Sequence, residues 1–283
     1  MTRALVTGAS GFIGRILVEE LSTNGWSVVS AGRHRSSVSS AIRHLDWSLG
    51  RPLDDVITQM DVVFHCASAA ISARADEQAI RLDISGTQLL VEQCRQISKS
   101  RSVPLLFIFI SSQSASPAAR NAYGRSKYTI EQLLVGPDEV IVRPGLVYGS
   151  GRTSVYGMAV RLIRFPGVIP KLVTKPCIQP IHVEDLAICL RLIAQLRLVG
   201  TFCLGDEIPL DFVTFCRRVA QIENLRLPFF IPFLGTMSEF FLSFCARAGV
   251  LANLNERVQG LIALEPMNTA PSLARLGVRL RNF

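Results

Sequence analysis

The residues best suited to chemistry lie in Tyr123-Gly124-Arg125-Ser126-Lys127. Tyr and Lys four apart project from one face of a helix. A phenol ordinarily titrates near ~10, whereas an acid/base working at neutral pH needs a value nearer ~7. An adjacent ammonium, helped by a positive ring bound beside it, would supply that shift, which corresponds to roughly 4 kcal/mol. Ser112 follows the apolar run at 104–110 and is placed to hold an oxygen between itself and the phenol. Alone, Tyr-x-x-x-Lys is an ordinary helix surface, so its meaning depends on what precedes it.

What precedes it is Thr7-Gly8-Ala9-Ser10-Gly11-Phe12-Ile13-Gly14, set between the apolar run Arg3-Ala4-Leu5-Val6 and residues apolar at helical spacing. Strand, glycine turn and helix in that order make a phosphate cradle. The helix N-terminus presents unpaired N–H groups and about half a positive charge to a pyrophosphate. Gly8 permits the turn, Gly11 lets the backbone approach the phosphates, and Gly14 lets the helix lie close on the strand. The chain is therefore expected to bind a dinucleotide. A second strand, Ser27-Val28-Val29-Ser30-Ala31, runs into Gly32-Arg33-His34-Arg35-Ser36-Ser37, where an Asp or Glu would select NAD. Arg33 and Arg35 would instead pair with a 2′-phosphate, so NADP is preferred over NAD.

The elements that position these groups follow in order. His44-Leu45-Asp46-Trp47 predicts a short third strand, with Asp46 available to the adenine amino group. Residues 61–69 predict a fourth strand, in which His65 is a packed strand-end residue rather than a catalyst. A helix is expected over 76–98, a buried strand over 104–110, and a sixth strand over 140–149. Residues 178–196 lead into a helix, 200–204 form a late strand, and the chain beyond 207 is helical and punctuated by proline. The fold class is α/β: a Rossmann-type doubly wound parallel sheet with a small C-terminal substrate-binding lobe. Residues 1–150, with 178–205 returning to them, form the nucleotide domain; 151–177 and 206–283 form the lobe.

Composition agrees. The chain has 283 residues, 49% hydrophobic and 18% charged, enough for a sizeable core and against disorder. Its seven cysteines stand singly in apolar surroundings, which fits buried thiols in a reducing cytosol, and its four histidines lack ligand spacing, so no metal site is expected. The first strand begins almost at Met1, leaving no signal peptide, and a cytoplasmic location is expected. Net charge is +8 through dispersed arginines, which suits an anionic substrate and cofactor and shows no nucleic-acid pattern. The apolar stretch 227–242 is broken by Pro228, Pro232, Gly235 and Glu239, so it is too short to span a membrane; it could touch a membrane surface, but a lobe or homodimer face is favoured.

The blocks TGASGFIG, DVVFHCA, LDISGT, FIFISS, YGRSK, VRPGLVYG and PIHVEDLA, in this order over residues 1 to about 205, resemble the extended short-chain dehydrogenase/reductases, specifically the NAD-dependent epimerase/dehydratase family acting on nucleotide sugars. The resemblance implies Gly8, Ser10, Gly11, Phe12, Ile13 and Gly14 at the pyrophosphate, with Asp46 and Trp47 near the adenine. It implies Ala67 at the adenosine ribose and Pro144 to Val147 near the nicotinamide. It implies Tyr123 as acid/base, Lys127 on the nicotinamide ribose and Ser112 on the substrate oxygen. Three departures stand out. Asp83 occupies the family's Asn position, the stretch from Ser112 to Tyr123 is short, and Ile178 replaces an Arg that touches the nucleotide diphosphate in relatives. Arg152, Arg161 or Lys175 are candidates to substitute for that Arg. The implied activity is 4-keto reduction or 4-epimerisation of a nucleotide sugar. The alternatives are NADPH-dependent reduction of a non-nucleotide ketone, to which the apolar 227–242 stretch is suited, and a non-catalytic NADPH-bound assembly or sensor protein. No acidic residue lies between Ser112 and Tyr123, which disfavours dehydration.

Overall fold

The computed structural model describes residues 1–35, 42–53, 55–69, 77–149, 155–164, 168–171, 176–227, 229–232 and 259–283. Arg35 is the last described residue of the β2 exit, so Ser36 and Ser37 lie outside, as do Arg152 and Lys175.

Seven strands form one parallel sheet: β1 (Arg3–Thr7), β2 (Ser27–Gly32), β3 (Arg43–Asp46), β4 (Val62–His65), β5 (Leu106–Ile110), β6 (Glu139–Pro144) and, late in the chain, β10 (Gly200–Leu204). Their spatial order is β10-β6-β5-β4-β1-β2-β3. Strands after β1 first run outward through β2 and β3, then return to the other side through β4, so the order reverses between β1 and β4. In an open parallel sheet, the crevice beyond the strand ends at that reversal is where a ligand lies. Helices α1 (Phe12–Thr23), α2 (Glu77–Lys99), α3 (Ala122–Glu131) and α5 (Val183–Gln195) flank the sheet. One apolar cluster joins α1 and α5 to one face, through Leu17, Leu21, Phe64, Leu186 and Leu190. Another joins α2 to the opposite face, through Val63, Leu90, Phe107 and Phe109. Strands buried on both faces read as near-continuous apolar runs, as Leu-Phe-Ile-Phe-Ile of β5 does.

One strand differs from expectation. The run 140–149 is broken at Gly145 into β6 and β7 (Leu146–Tyr148), and β7 leaves the main sheet to pair with β9 (Pro180–His182). Gly145 donates to the Leu204 carbonyl at 2.8 Å, and a Cβ there would overlap the Gln179 carbonyl. The chain crosses between sheets where no side chain fits.

A third cluster gathers α4 (Val155–Arg164), α6 (Phe212–Ile222) and the C-terminal segment around Tyr148, Tyr156, Phe215 and Phe283. A two-stranded parallel ladder, β8 (Val168–Lys171) with β11 (Phe229–Pro232), lies beyond these helices. The ladder was not expected from sequence, because each strand has four residues and contains a proline. A short helix, α7 (Ala270–Leu276), ends at Gly277 in the left-handed conformation.

Candidate active site

The glycine turn needs its glycines. Gly8 has φ +66°, and a Cβ there would lie 2.7 Å from the Ala67 amide nitrogen at the β4 exit. A Cβ on Gly14 would overlap the Gly8 carbonyl, so α1 could not approach the turn. Gly11 is the N-cap of α1 with no side-chain cap, and the first turn carries no acidic residue. Exposed Ser10 and Gly11 and half-buried Phe12 and Ile13 lead into that open helix end. The arrangement fits a pyrophosphate: free N–H groups, a positive helix end and backbone bare of Cβ atoms.

Arg33 is exposed directly after β2, and Asp46 is exposed at the end of the neighbouring β3. Trp47 is placed differently from Asp46. Its indole is buried in the core and donates to the Arg51 carbonyl at 2.8 Å. His65 is the packed residue expected. Its two ring nitrogens bond the Thr7 hydroxyl at 2.8 Å and the Thr87 hydroxyl at 3.0 Å, and burial pushes its pKa down to about 3.

Ser112 sits two residues beyond the end of β5, and its hydroxyl lies 3.0 Å from the Ser114 hydroxyl. Helix α3 reaches this turn closely, because a Cβ on Gly124 would overlap the Ser114 carbonyl. Asn121 caps α3 by accepting from the Gly124 amide at 3.0 Å. Tyr123, in the first turn and half-buried, stands beside Ser112, which pulls its pKa down. Lys127, one turn on and buried, donates to the Ile110 carbonyl at 2.9 Å and stands 5.8 Å from the Tyr123 ring centroid. Ser112, Tyr123 and Lys127 thus meet at the carboxyl end of β5, with Ala67 at the end of β4 and buried Pro144 at the end of β6. Val147 follows on β7.

The expected lowering of the phenol is not supplied by the chain's own groups. Burial, then the charge of Asp83, push Tyr123 up to about 12, with only the Ser112 hydrogen bond opposing them. Burial likewise pushes the Lys127 ammonium down to about 8, against the pull of Asp83, Cys66 and Glu131. In a dry pocket the cost of desolvating phenolate exceeds what one ammonium returns. Tyr123 therefore stays a protonated donor at neutral pH.

Two further groups support the site: Glu131, which gave no sequence signal, and Asp83, which the sequence marked only as a departure from the family's Asn. Glu131, four residues after Lys127 and buried, accepts from the Ser111 hydroxyl and, through both carboxylate oxygens, from the Arg143 guanidinium, tying α3 to β5 and β6. Asp83, buried on α2, accepts from the Ser68 hydroxyl and the Ala69 amide just past β4. Among the described residues, no group of acidic, His or Cys side chains could hold a metal.

A doubly wound sheet with an open glycine cradle at its reversal and a Ser-Tyr-Lys set beside it is the arrangement that the resemblance to the short-chain dehydrogenase/reductases implies. The profile of the NAD dependent epimerase/dehydratase family matches residues 4–197, and the chain belongs to that family of NAD(P)-dependent reductases and epimerases. It is 32% identical over 210 residues to a ceramide reductase of Caulobacter vibrioides, a match covering 71% of this chain and 63% of that enzyme. The chain thus spans less than two thirds of the length of that relative. In structure it is similar to the human epimerase family protein SDR39U1 solved with NADPH (TM-score 0.71, 17% identity, covering 99% of this chain and 95% of that one). It is also similar to UDP-glucose 4-epimerase of Thermotoga maritima solved with UDP-glucose (TM-score 0.64, 21% identity, 83% and 87% covered). At such identities these structures bear on the fold.

Proposed function

We propose that the chain is an NADP(H)-dependent carbonyl reductase in which Tyr123 gives a proton to the substrate oxygen. The observation that carries this is the meeting of Ser112, Lys127 and the half-buried Tyr123 at the carboxyl end of β5, with the phenol pushed up to about 12 and so held in the protonated form that reduction requires. Gly8, Gly11 and Gly14 would hold the pyrophosphate and Arg33 the 2′-phosphate, with Asp46 at the adenine, Ala67 at the adenosine ribose and Lys127 at the other ribose. The nicotinamide supplies the hydride. Hydride to the carbonyl carbon and the Tyr123 proton to the oxygen turn a ketone into a secondary alcohol, and solvent returns the proton to the phenolate. Ser112 and Tyr123 together would fix the oxygen. The complete Ser112/Tyr123/Lys127 set argues against a non-catalytic sensor.

For the substrate, an apolar ketone is favoured. Ile178, at the position of the family's diphosphate-binding Arg, is fully buried and paired with Leu210 in both directions, at 2.9 and 2.7 Å. Arg161, a candidate replacement, stands exposed in the last turn of α4. The ceramide reductase likeness points the same way. A second reading, 4-keto reduction or 4-epimerisation of a nucleotide sugar, is favoured by the order of the sequence blocks and by the fold shared with sugar epimerases. NADPH consumption with a panel of long-chain and polycyclic ketones, set against UDP-, dTDP- and GDP-4-keto sugars, tests both. Turnover of keto-sugars alone would overturn the apolar reading, and turnover of nothing in either panel would count against catalysis.

A further inference from the structure

Of the large apolar side chains that remain exposed, three fall within eight residues: Ile222 at 47%, Leu227 at 59% and Phe229 at 81%. Ile222 ends α6, Leu227 lies in the connection after it and Phe229 opens β11. Helix α4 runs towards β8 as α6 runs towards β11, and β8 and β11 pair in parallel with Phe229 opposite Val168. The carboxyl ends of α4 and α6 therefore arrive at one edge of the lobe. That edge is basic. Arg161 and Arg164 occupy the last turn of α4, Arg217 of α6 lies 6.0 Å over the Phe230 ring, and Arg226 is exposed beside Leu227. The carboxylate at this edge, Glu223, accepts from the Tyr156 hydroxyl at 2.9 Å and lies 4.0 Å from Arg164.

We infer that this edge, Ile222, Leu227 and Phe229 ringed by Arg161, Arg164, Arg217 and Arg226, docks on an anionic lipid surface. Exposed aliphatic and aromatic side chains bordered by cations are what an interfacial site requires. The apolar groups enter the boundary of the acyl region, and the guanidiniums stay at headgroup level and attract negative lipid. Phe229 is far more exposed than an aromatic side chain on a free surface ordinarily is. A second copy of the chain fits less well, because a two-fold contact through this edge would set its arginines against their own copies. The chain as a whole carries +8, which adds long-range attraction to a negative membrane. No described helix is long and apolar enough to cross a membrane. Docking would also put the lobe next to apolar substrates, but the inference does not depend on the proposed reaction, since lipid binding needs no substrate.

The test is co-sedimentation of the full chain with vesicles of phosphatidylcholine, alone or with about a third phosphatidylglycerol. Binding to the anionic vesicles should be about tenfold stronger than to the neutral ones and should fall as salt rises. Phe229→Ser and Arg226→Glu, both at exposed positions, should each weaken it several-fold while leaving the melting temperature unchanged. Absence of binding to anionic vesicles, or binding that ignores both substitutions, overturns the inference. So does a dimer in light scattering that Phe229→Ser converts to monomer without any vesicle binding by the parent protein. If vesicles bind but no ketone is reduced, the docking surface stands and the substrate reading falls.

Discussion

The Ser68 hydroxyl donates to the buried carboxylate of Asp83 at 2.6 Å, and the next amide, Ala69, donates to its other oxygen at 2.5 Å. Asp83 thus fastens the β4 exit, whose Ala67 packs against the Gly8 turn, and at the same time sets a negative charge facing Tyr123 and Lys127. The two roles are separable. In Asp83→Asn the amide oxygen can accept from Ala69 and the amide nitrogen can donate to Ser68, so stability should change by less than about 1 kcal/mol. Removing the charge should lower the Tyr123 pKa, moving the alkaline limb of the reduction profile to lower pH. Asp83→Ala should lose both bonds and destabilise by about 3 kcal/mol. Urea unfolding and a pH–rate profile measure the two effects. An unmoved alkaline limb in Asp83→Asn would leave Asp83 as a fastener only.

Cofactor choice should follow Arg33. Arg33 is exposed at the end of β2, next to the Gly32–Asp46 pair of the β2/β3 ladder, where its guanidinium can take a 2′-phosphate. NADPH should bind about tenfold tighter than NADH, and Arg33→Ala should remove most of that difference while leaving NADH affinity nearly constant. Fluorescence titration of both nucleotides reads this, and equal affinities in the parent protein would refute it.

His65 predicts an acid-sensitive fold. The unfolded imidazole titrates near 6.5 and the folded one near 3, so between these values the unfolded chain binds the extra proton. Stability contributed by the neutral ring is complete above pH 6.5 and is lost as pH falls towards 3, about 5 kcal/mol over the whole window. Unfolding free energy should therefore drop between pH 7 and pH 5 by about 2 kcal/mol from this group. His65→Gln, which can still reach Thr7 and Thr87, should flatten that dependence. An equal slope in the variant would place the acid sensitivity elsewhere.

Much of this was legible in the chain itself. The turn at Gly8, Gly11 and Gly14 and the spacing of Tyr123 and Lys127 are local, set by residues within one turn of each other, and the sheet strands are local apolar runs. What escaped is long-range. The break at Gly145 is imposed by the Gln179 carbonyl, and the Ser111–Glu131–Arg143 bonds join three elements. The direction of the Tyr123 shift escaped for a similar reason. The ammonium beside the phenol is visible as spacing, but the burial that outweighs it comes from the whole pocket.

The sharpest prediction concerns the reacting groups. Tyr123→Phe keeps the ring and its packing and removes only the hydroxyl, so turnover should fall by about 10²–10⁴ while NADPH affinity stays close to normal. Ser112→Ala should cost about 10²–10³ in rate, because one donor to the developing alkoxide is lost and Tyr123 remains. Lys127→Ala should differ from both. It removes the ammonium that bonds the Ile110 carbonyl at 2.9 Å, so it should weaken NADPH binding as well as turnover and leave a buried carbonyl without its donor. Lys127→Met separates the two contributions, filling the space without restoring the charge. If its stability is parental and its rate and NADPH affinity both fall, the ammonium acts on the bound groups. Substantial turnover by Tyr123→Phe would reduce the Tyr-Lys pair to a packed helix face, with the glycine cradle and the nucleotide site still standing.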